Sequence, residues 1–439
     1  FYNGTLFPPE YRDRPYFGNI HGKRINSERL VPEGSGFRAS HAPDFLRSND
    51  FNFTAVTLKT GPDGSLVVSD WYDRQKCHSN QVQLWDRSNG RLYRIRTADW
   101  KPWKADPALW EPASTLDLQL QENGWLSRMA RRQIGEYGAA HTVDDALIEK
   151  ATRLLKAPAT PTEARLRVMW WLHATRNKGN AMRWLQQLQD PEPHIRLWAI
   201  QLAMEQGPPS SEFVAAMKGL CTSDPSPVVR LALCSALQRM PHNQRWDLLE
   251  ALLQHSEDEK DRNLPQMLWY AIEPMVPDHP ARALKLARAS KLTLPSALIA
   301  RRVAEMRSPE SLPLLLQVAR DSTTPEAAAQ VLEAVLESLR GRSHQAAPAL
   351  WKSLYEHTTS LLKDHEKNPV AMALMDARDA LGALFDDART ESRRTAQRSA
   401  ASRCHRARPS RRNARDSGTG ARHPVGCAAQ CVGSPCGRV

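Results

Sequence analysis

Three residues that close an extended run have the types that do chemistry: Asp70, Asp73 and His78. Two carboxylates and an imidazole this close in sequence could hold a cation or serve as acid and base. The same spacing suits a plainer role, because Asp beyond a strand end accepts hydrogen bonds from the amides of its own turn. Turn capping is the expectation, and the three stand as the candidate metal or acid–base set. His21, just before Gly22, reads as a turn or rim residue rather than a base. Cys77-His78 is no haem site, since C-x-x-C-H needs a second thiol and residue 74 is Arg.

Four of the seven cysteines, Cys404, Cys427, Cys431 and Cys436, lie in the last 51 residues. They lack the paired C-x2-C spacing of a zinc site, so no metal is expected there. That segment, 389–439, holds twelve Arg, no Lys and only two acidic residues, a net charge of +10 out of the +12 of the whole chain. It contains no Leu, Ile, Met, Phe, Tyr or Trp and cannot build a core. Two accounts of it stay open: a shifted reading frame, favoured by the Arg/Ala/Ser/Gly/Pro/Cys bias, or a natural disordered basic arm. With only +2 left on residues 1–388, no nucleic-acid partner is expected. Cys77, Cys221 and Cys234 make no disulfide framework. No nucleotide-binding Gly loop, H-E-x-x-H or nucleophile elbow occurs. No apolar run reaches the ~18 residues of a membrane helix.

The elements that would position these residues fall into two kinds. Over 1–98, aromatic and β-branched clusters alternate with Pro, Gly, Asn and Asp, which reads as β structure. Gly61-Pro62-Asp63-Gly64 should join two strands as a tight turn, and Asn89-Gly90 reads as a second hairpin signal before Arg91-Leu92-Tyr93-Arg94-Ile95. Residues 16–20 and 24–26 form a third candidate pair. At ~40–50 residues per four-stranded blade, this is about two propeller blades. Two blades cannot close a ring. Residue 1 is therefore expected to lie inside a larger domain, in keeping with a start at Phe1-Tyr2 rather than Met.

Segment 99–115 reads as a Trp-bearing linker that lies against the next domain. From residue 116 the apolar period becomes helical. Asp190-Pro191-Glu192-Pro193-His194-Ile195-Arg196-Leu197 and Asp224-Pro225-Ser226-Pro227-Val228-Val229-Arg230-Leu231 share D-P-x-P-x-x-R-L at an offset of 34, and a looser copy starts at Asp261. Asp-Pro ends one helix and begins the next, leaving Arg early in the second helix, within reach of a neighbouring repeat's Asp. This is the HEAT pattern of an α-solenoid over 116–388, with further helices at 125–132, 163–174, 295–306, 311–319, 325–339 and 370–385. Trp170, Trp171, Trp198 and Trp269 are expected in the core rather than as a cofactor-stacking row.

The run Asn19-Ile20-His21-Gly22-Lys23-Arg24-Ile25-Asn26 carries a family resemblance. With it go Gly34-Ser35-Gly36-Phe37, Asp44-Phe45-Leu46, Gly61-Pro62-Asp63-Gly64 and Ser69-Asp70-Trp71-Tyr72-Asp73. Together with Asn263-Leu264-Pro265-Gln266-Met267-Leu268-Trp269-Tyr270, these resemble the membrane-bound dehydrogenases of planctomycetes and verrucomicrobia. Such proteins carry a glucose/sorbosone dehydrogenase-like propeller, then HEAT repeats and usually a c-type cytochrome. The resemblance implies a periplasmic or envelope location. It also implies a full-length parent that oxidises a sugar-like alcohol or aldehyde, with pyrroloquinoline quinone and c-type haem as its cofactors. No catalytic residue carries over, and no cofactor is evident in this chain. The expected architecture is thus β then α: the last blades of an incomplete propeller, a HEAT solenoid and a disordered Arg-rich tail. The functional expectation is a dehydrogenase fragment, inactive alone, that keeps mainly its scaffold. The alternative is a non-catalytic HEAT scaffold with a protein partner on its surface.

Overall fold

The computed structural model describes residues 1–75, 81–86, 88–175, 181–306, 308–341, 346–362 and 369–385. Cys77, His78 and the Arg-rich segment 389–439, with the readings attached to them, lie outside the described residues.

Six strands make two antiparallel meanders of three. β1 (Tyr16–Asn19), β2 (Arg24–Glu33) and β3 (Gly36–Arg47) form one sheet; β4 (Ala55–Thr60), β5 (Leu66–Asp70) and β6 (Arg91–Ile95) form the other. β1 and β2 pair with Asn19 opposite Arg24, as the sequence led us to expect. The Gly61–Gly64 turn joins β4 to β5, with Gly64 at φ +76° and Thr60 opposite Leu66. Asp63 stabilises that turn by accepting from the Ser65 amide (3.0 Å) and hydroxyl (2.6 Å). Asn89-Gly90 is not a hairpin turn: β6 pairs with β5, from which a long connection separates it. Neither residue has the positive φ that a tight hairpin demands. Each sheet has three strands where four per blade were expected, because the β5–β6 connection holds no strand among its described residues.

The sheets meet where β1 passes β4. A Cβ at Gly18 would stand 2.0 Å from the Ala55 carbonyl oxygen, so only glycine allows the approach. Ile25, Phe53, Ala55, Leu66 and Val68 fill the core between them with Tyr2 and Phe7. The Tyr2 hydroxyl donates to the Gly64 carbonyl at 2.7 Å and accepts from the Phe7 amide at 3.1 Å, so the chain start is built into this core.

Fifteen α-helices follow among the described residues. They begin with α1 (Pro112–Asp117), α2 (Gly124–Ala140), α3 (Asp145–Lys156), α4 (Thr162–Ala174) and α5 (Pro193–Met204). Next come α6 (Ser211–Ser223), α7 (Pro227–Leu237), α8 (His242–Leu252), α9 (Leu264–Ile272) and α10 (Pro280–Ala289). The last are α11 (Thr293–Glu305), α12 (Ser311–Arg320), α13 (Pro325–Ser338), α14 (Trp351–Leu362) and α15 (Pro369–Leu384). Proline opens α5, α7, α10 and α13, where its missing amide costs nothing. Helices α5, α7, α9, α11, α13 and α15 stack side by side as one layer; α6 on α8, and α10 on α12 on α14, belong to the other. A single apolar core runs between the layers from Leu116 to Phe385, as in a two-layer solenoid. No helix among the described residues is long and apolar enough to cross a membrane.

The Trp-rich connection is docked against both units. Trp100 Nε1 donates to Asp63 Oδ2 at 2.9 Å, while Trp103 and Trp110 meet Trp125 of α2 edge-on at 5.8 and 6.4 Å. The Asn123 amide side chain donates to the Pro62 carbonyl (2.9 Å), and the Gly124 amide to that of Asn3 (2.8 Å). The Gly-Pro-Asp-Gly turn is thus also the seat of the first long helix.

Candidate functional site

β5 delivers Asp70 to the strand end, where it is 4% exposed, and Asp73 follows at 1%. Asp70 Oδ1 accepts from the amides of Thr54 (2.6 Å) and Tyr72 (3.0 Å). Asp73 accepts from Gln75 (2.8 Å) and from Asp86 (2.9 Å). Both carboxylates therefore fold the loop around themselves, and Tyr72 between them takes a left-handed φ of +47°. Asp70 Oδ2 is buried with no hydrogen-bond partner among the described residues. Burial pushes the Tyr93 phenol up, and the Asp70 charge adds to this. Among the described residues no three His, Cys, Asp or Glu are grouped to hold a metal.

Among the described residues the cofactors implied by the resemblance find no seat. Covalent haem needs paired thiols, but Cys221 and Cys234 are buried on separate helices and burial holds both thiols protonated, well above the usual range. A quinone bearing carboxylates needs cationic partners, whereas the β5 end presents buried acids. No step is derived through either group.

What the helices do position is a ladder of buried ion pairs. Arg196 in α5 donates through Nε and Nη2 to Asp224 at 2.7 and 2.8 Å, in the fork-to-fork arrangement guanidinium favours. One repeat on, Arg230 in α7 does the same to Asp258 at 2.7 and 2.5 Å. Arg165 of α4 pairs with Asp190, the rung before. Arg196 and Arg230 also grip their own turns, as Arg230 Nη1 does at the Asp224 carbonyl (2.8 Å), while Arg165 Nε reaches back to the Leu155 carbonyl of α3 (2.8 Å). Each rung therefore ties three consecutive helices. The Arg-to-next-Asp pairing expected from the repeat is present, but its third acceptor is Asp258, not Asp261, at which the looser copy was set. Asp261 instead accepts from the amides of Asn263 (2.8 Å) and Leu264 (3.0 Å) at the start of α9, and from Ser35 at the tip of the β2–β3 hairpin.

Of the tryptophans, Trp171 is fully buried and donates to Thr115 at 3.0 Å. Trp170 and Trp198 meet edge-on at 5.0 Å, half-buried against the core, as does Trp269. They pack the stack rather than form an open row. On the other layer, an open groove of about 780 Å³ lies between the starts of α10 and α12, lined by Pro280, Arg282, Pro313, Leu314 and Leu350. A second, of about 520 Å³, separates α8 from α10. Arg282 stands between the two, its guanidinium 4.6 Å from the Trp246 ring.

The comparisons divide the chain at the same place as the fold. Residues 1–99 match the model of a domain of unknown function (DUF7133), and residues 181–266 match that of HEAT repeats. The HEAT match spans the rungs at Asp224 and Asp258. No curated protein matches the chain.

Proposed function

We propose that this chain works as a HEAT-repeat interaction scaffold, with the small β unit buttressing its first helices. One observation carries the reading: an unbroken core from Leu116 to Phe385, pinned by internally neutralised Arg–Asp rungs. Such a stack is stiff along its length and leaves a helix layer with grooves and an exposed Arg282 for recognition. The test is cross-linking followed by mass mapping in an extract of the cells that make the protein, beside variants W246A and R282E. Cross-links to one partner that fall on the solenoid, and weaken in either variant at unchanged helix content, support the scaffold. Cross-links confined to residues 1–99 sink it.

A finer reading rests on the family resemblance: the β unit is the last part of a dehydrogenase propeller, in an envelope protein whose other parts bind the quinone and haem. Two meanders packed through their first strands, β1 on β4, support it, since neighbouring blades meet in this way. Assay of the longer gene product with sugar alcohols and an artificial electron acceptor, with and without added quinone, decides it. No oxidation under either condition removes this reading and leaves the scaffold untouched.

A further inference from the structure

Every arginine of the ladder has a carboxylate, but three arginines beside it have none among the described residues. Arg128 and Arg131 lie on α2 and Arg167 on α4, two residues after the paired Arg165. Arg131 Nη1 donates to the side-chain oxygen of Gln119 at 2.9 Å, and Gln119 is fully buried, held in turn by the Thr115 carbonyl at 2.9 Å. Arg167 donates to the Gln121 carbonyl. These acceptors are neutral, so they orient two of the three guanidinium groups without cancelling their charge.

Three carboxylates close to these arginines in sequence are engaged elsewhere. Asp117 pairs with Lys150 (2.7 Å), Glu122 with Arg12 (3.2 Å) and Glu136 with Arg132 (2.8 Å). Glu163 precedes Arg167 by one turn and makes no ion pair with it. Burial, then the charges of Arg128 and Arg167, push Arg131 down to about 10, which marks the three as mutually repelling. The Trp170 ring lies 5.2 Å from the Arg131 guanidinium, and its indole N–H is buried with no acceptor among the described residues. The cluster offers donors and a flat apolar wall, and lacks an anion.

We propose that Arg128, Arg131 and Arg167, with Trp170 as a wall, form an oxyanion-binding site that takes the side-chain carboxylates of an acidic protein segment. Guanidinium forks match carboxylates bidentately, as Arg196 already does with Asp224. Occupancy would relieve the repulsion and supply the acceptor that the cluster lacks. This rests on the scaffold reading and assigns it a partner chemistry at the end nearest the β unit.

The test uses the whole chain and a fluorescein-labelled peptide rich in Glu, followed by anisotropy at low and raised salt, with inorganic phosphate titrated in parallel. Binding should weaken steeply with salt and fall about tenfold in each of R128Q, R131Q and R167Q. The control R239Q/R340Q, two exposed arginines that line neither groove, should bind as the parent does. R128Q keeps the test sound if R131Q fails to fold, because Arg128 is exposed. No peptide binding, equal loss in the control, or competition-free binding of phosphate alone overturns the assignment. Such a result would not touch cross-links on the α8–α12 grooves, so the scaffold reading stands or falls separately.

Discussion

Ser35 gives both its amide and its hydroxyl to the carboxylate of Asp261, each at 2.7 Å, across 226 residues of chain. The side-chain amide of Asn263 adds a bond to the Ser35 hydroxyl at 3.1 Å. Gly34 makes the contact possible: it has φ +57°, and a Cβ there would fall 2.2 Å from the Asp261 carboxylate. The β2–β3 hairpin is thus an arm from the β unit to the start of α9. Its ten-residue strand spans roughly 33 Å at about 3.3 Å per residue, comparable to four helix spacings of about 8–10 Å from α2 to α9. The β unit therefore holds the solenoid at two places, α2 and α9.

That contact should fail in acid. Burial pushes the Asp261 carboxyl up, but bonds from Ser35, Asn263 and Leu264 outweigh it and leave the group below its ordinary 3.8. A carboxyl lowered by folding binds fewer protons folded than unfolded, so its stabilisation is complete above the ordinary value and disappears as pH falls through the folded one. Hydrogen exchange at residues 34–36 should be slow from pH 7 to about 5 and quicken, beyond the intrinsic pH effect, below about 4. D261N should show fast exchange at every pH. An arm equally protected in D261N would mean that the carboxylate does not hold it.

The ladder makes a sharper claim about buried charge. The Arg230 and Asp258 side chains are 2% and 5% exposed. R230A leaves a buried carboxylate without its cation and should cost about 3–5 kcal/mol, whereas R230M/D258L should be neutral or stabilising by about 1–4 kcal/mol. Urea midpoints followed by helix signal separate the two. If the double variant is as damaged as R230A, the pair contributes through attraction and not merely through mutual compensation.

D-P-x-P-x-x-R-L announces two turns and the Arg that leaves each, because proline placement and helix period are local. It does not decide between Asp258 and Asp261, which differ by one helical turn; the choice is made by which carboxylate faces α7. Asn89-Gly90 has the right turn chemistry, but turn residues do not name a strand's partner. Ser35 sits in a quotable run, and nothing near it in sequence points to Asp261. The arginine cluster is equally silent, since its meaning lies in which carboxylates are already taken.

The two buried thiols report on the same packing. Cys221 on α6 and Cys234 on α7 are fully buried, and burial raises both well above the ordinary thiol value. Alkylation at pH 8 with peptide mapping should leave both unmodified in the native chain. Modification should appear with the urea transition, since thiolate and access are both needed. Labelling of Cys234 well before that transition would place an opening between α6 and α7 that the ladder should forbid.

The strand-end acids can be decided between their two readings. If Asp70 is a turn cap, its Oδ1 bonds to Thr54 and Tyr72 are what count, and the unpartnered Oδ2 is a liability. D70N keeps one acceptor oxygen and removes the buried charge, so it should change stability little. D70A should lose about 1–3 kcal/mol, because two buried amides lose their acceptor. Calcium or magnesium should then leave the melting temperature of the parent unchanged. A cation site predicts the reverse: a melting temperature that rises with the ion in the parent and no longer does so in D70N. That pattern would return Asp70, Asp73 and His78 to the chemistry their types first suggested.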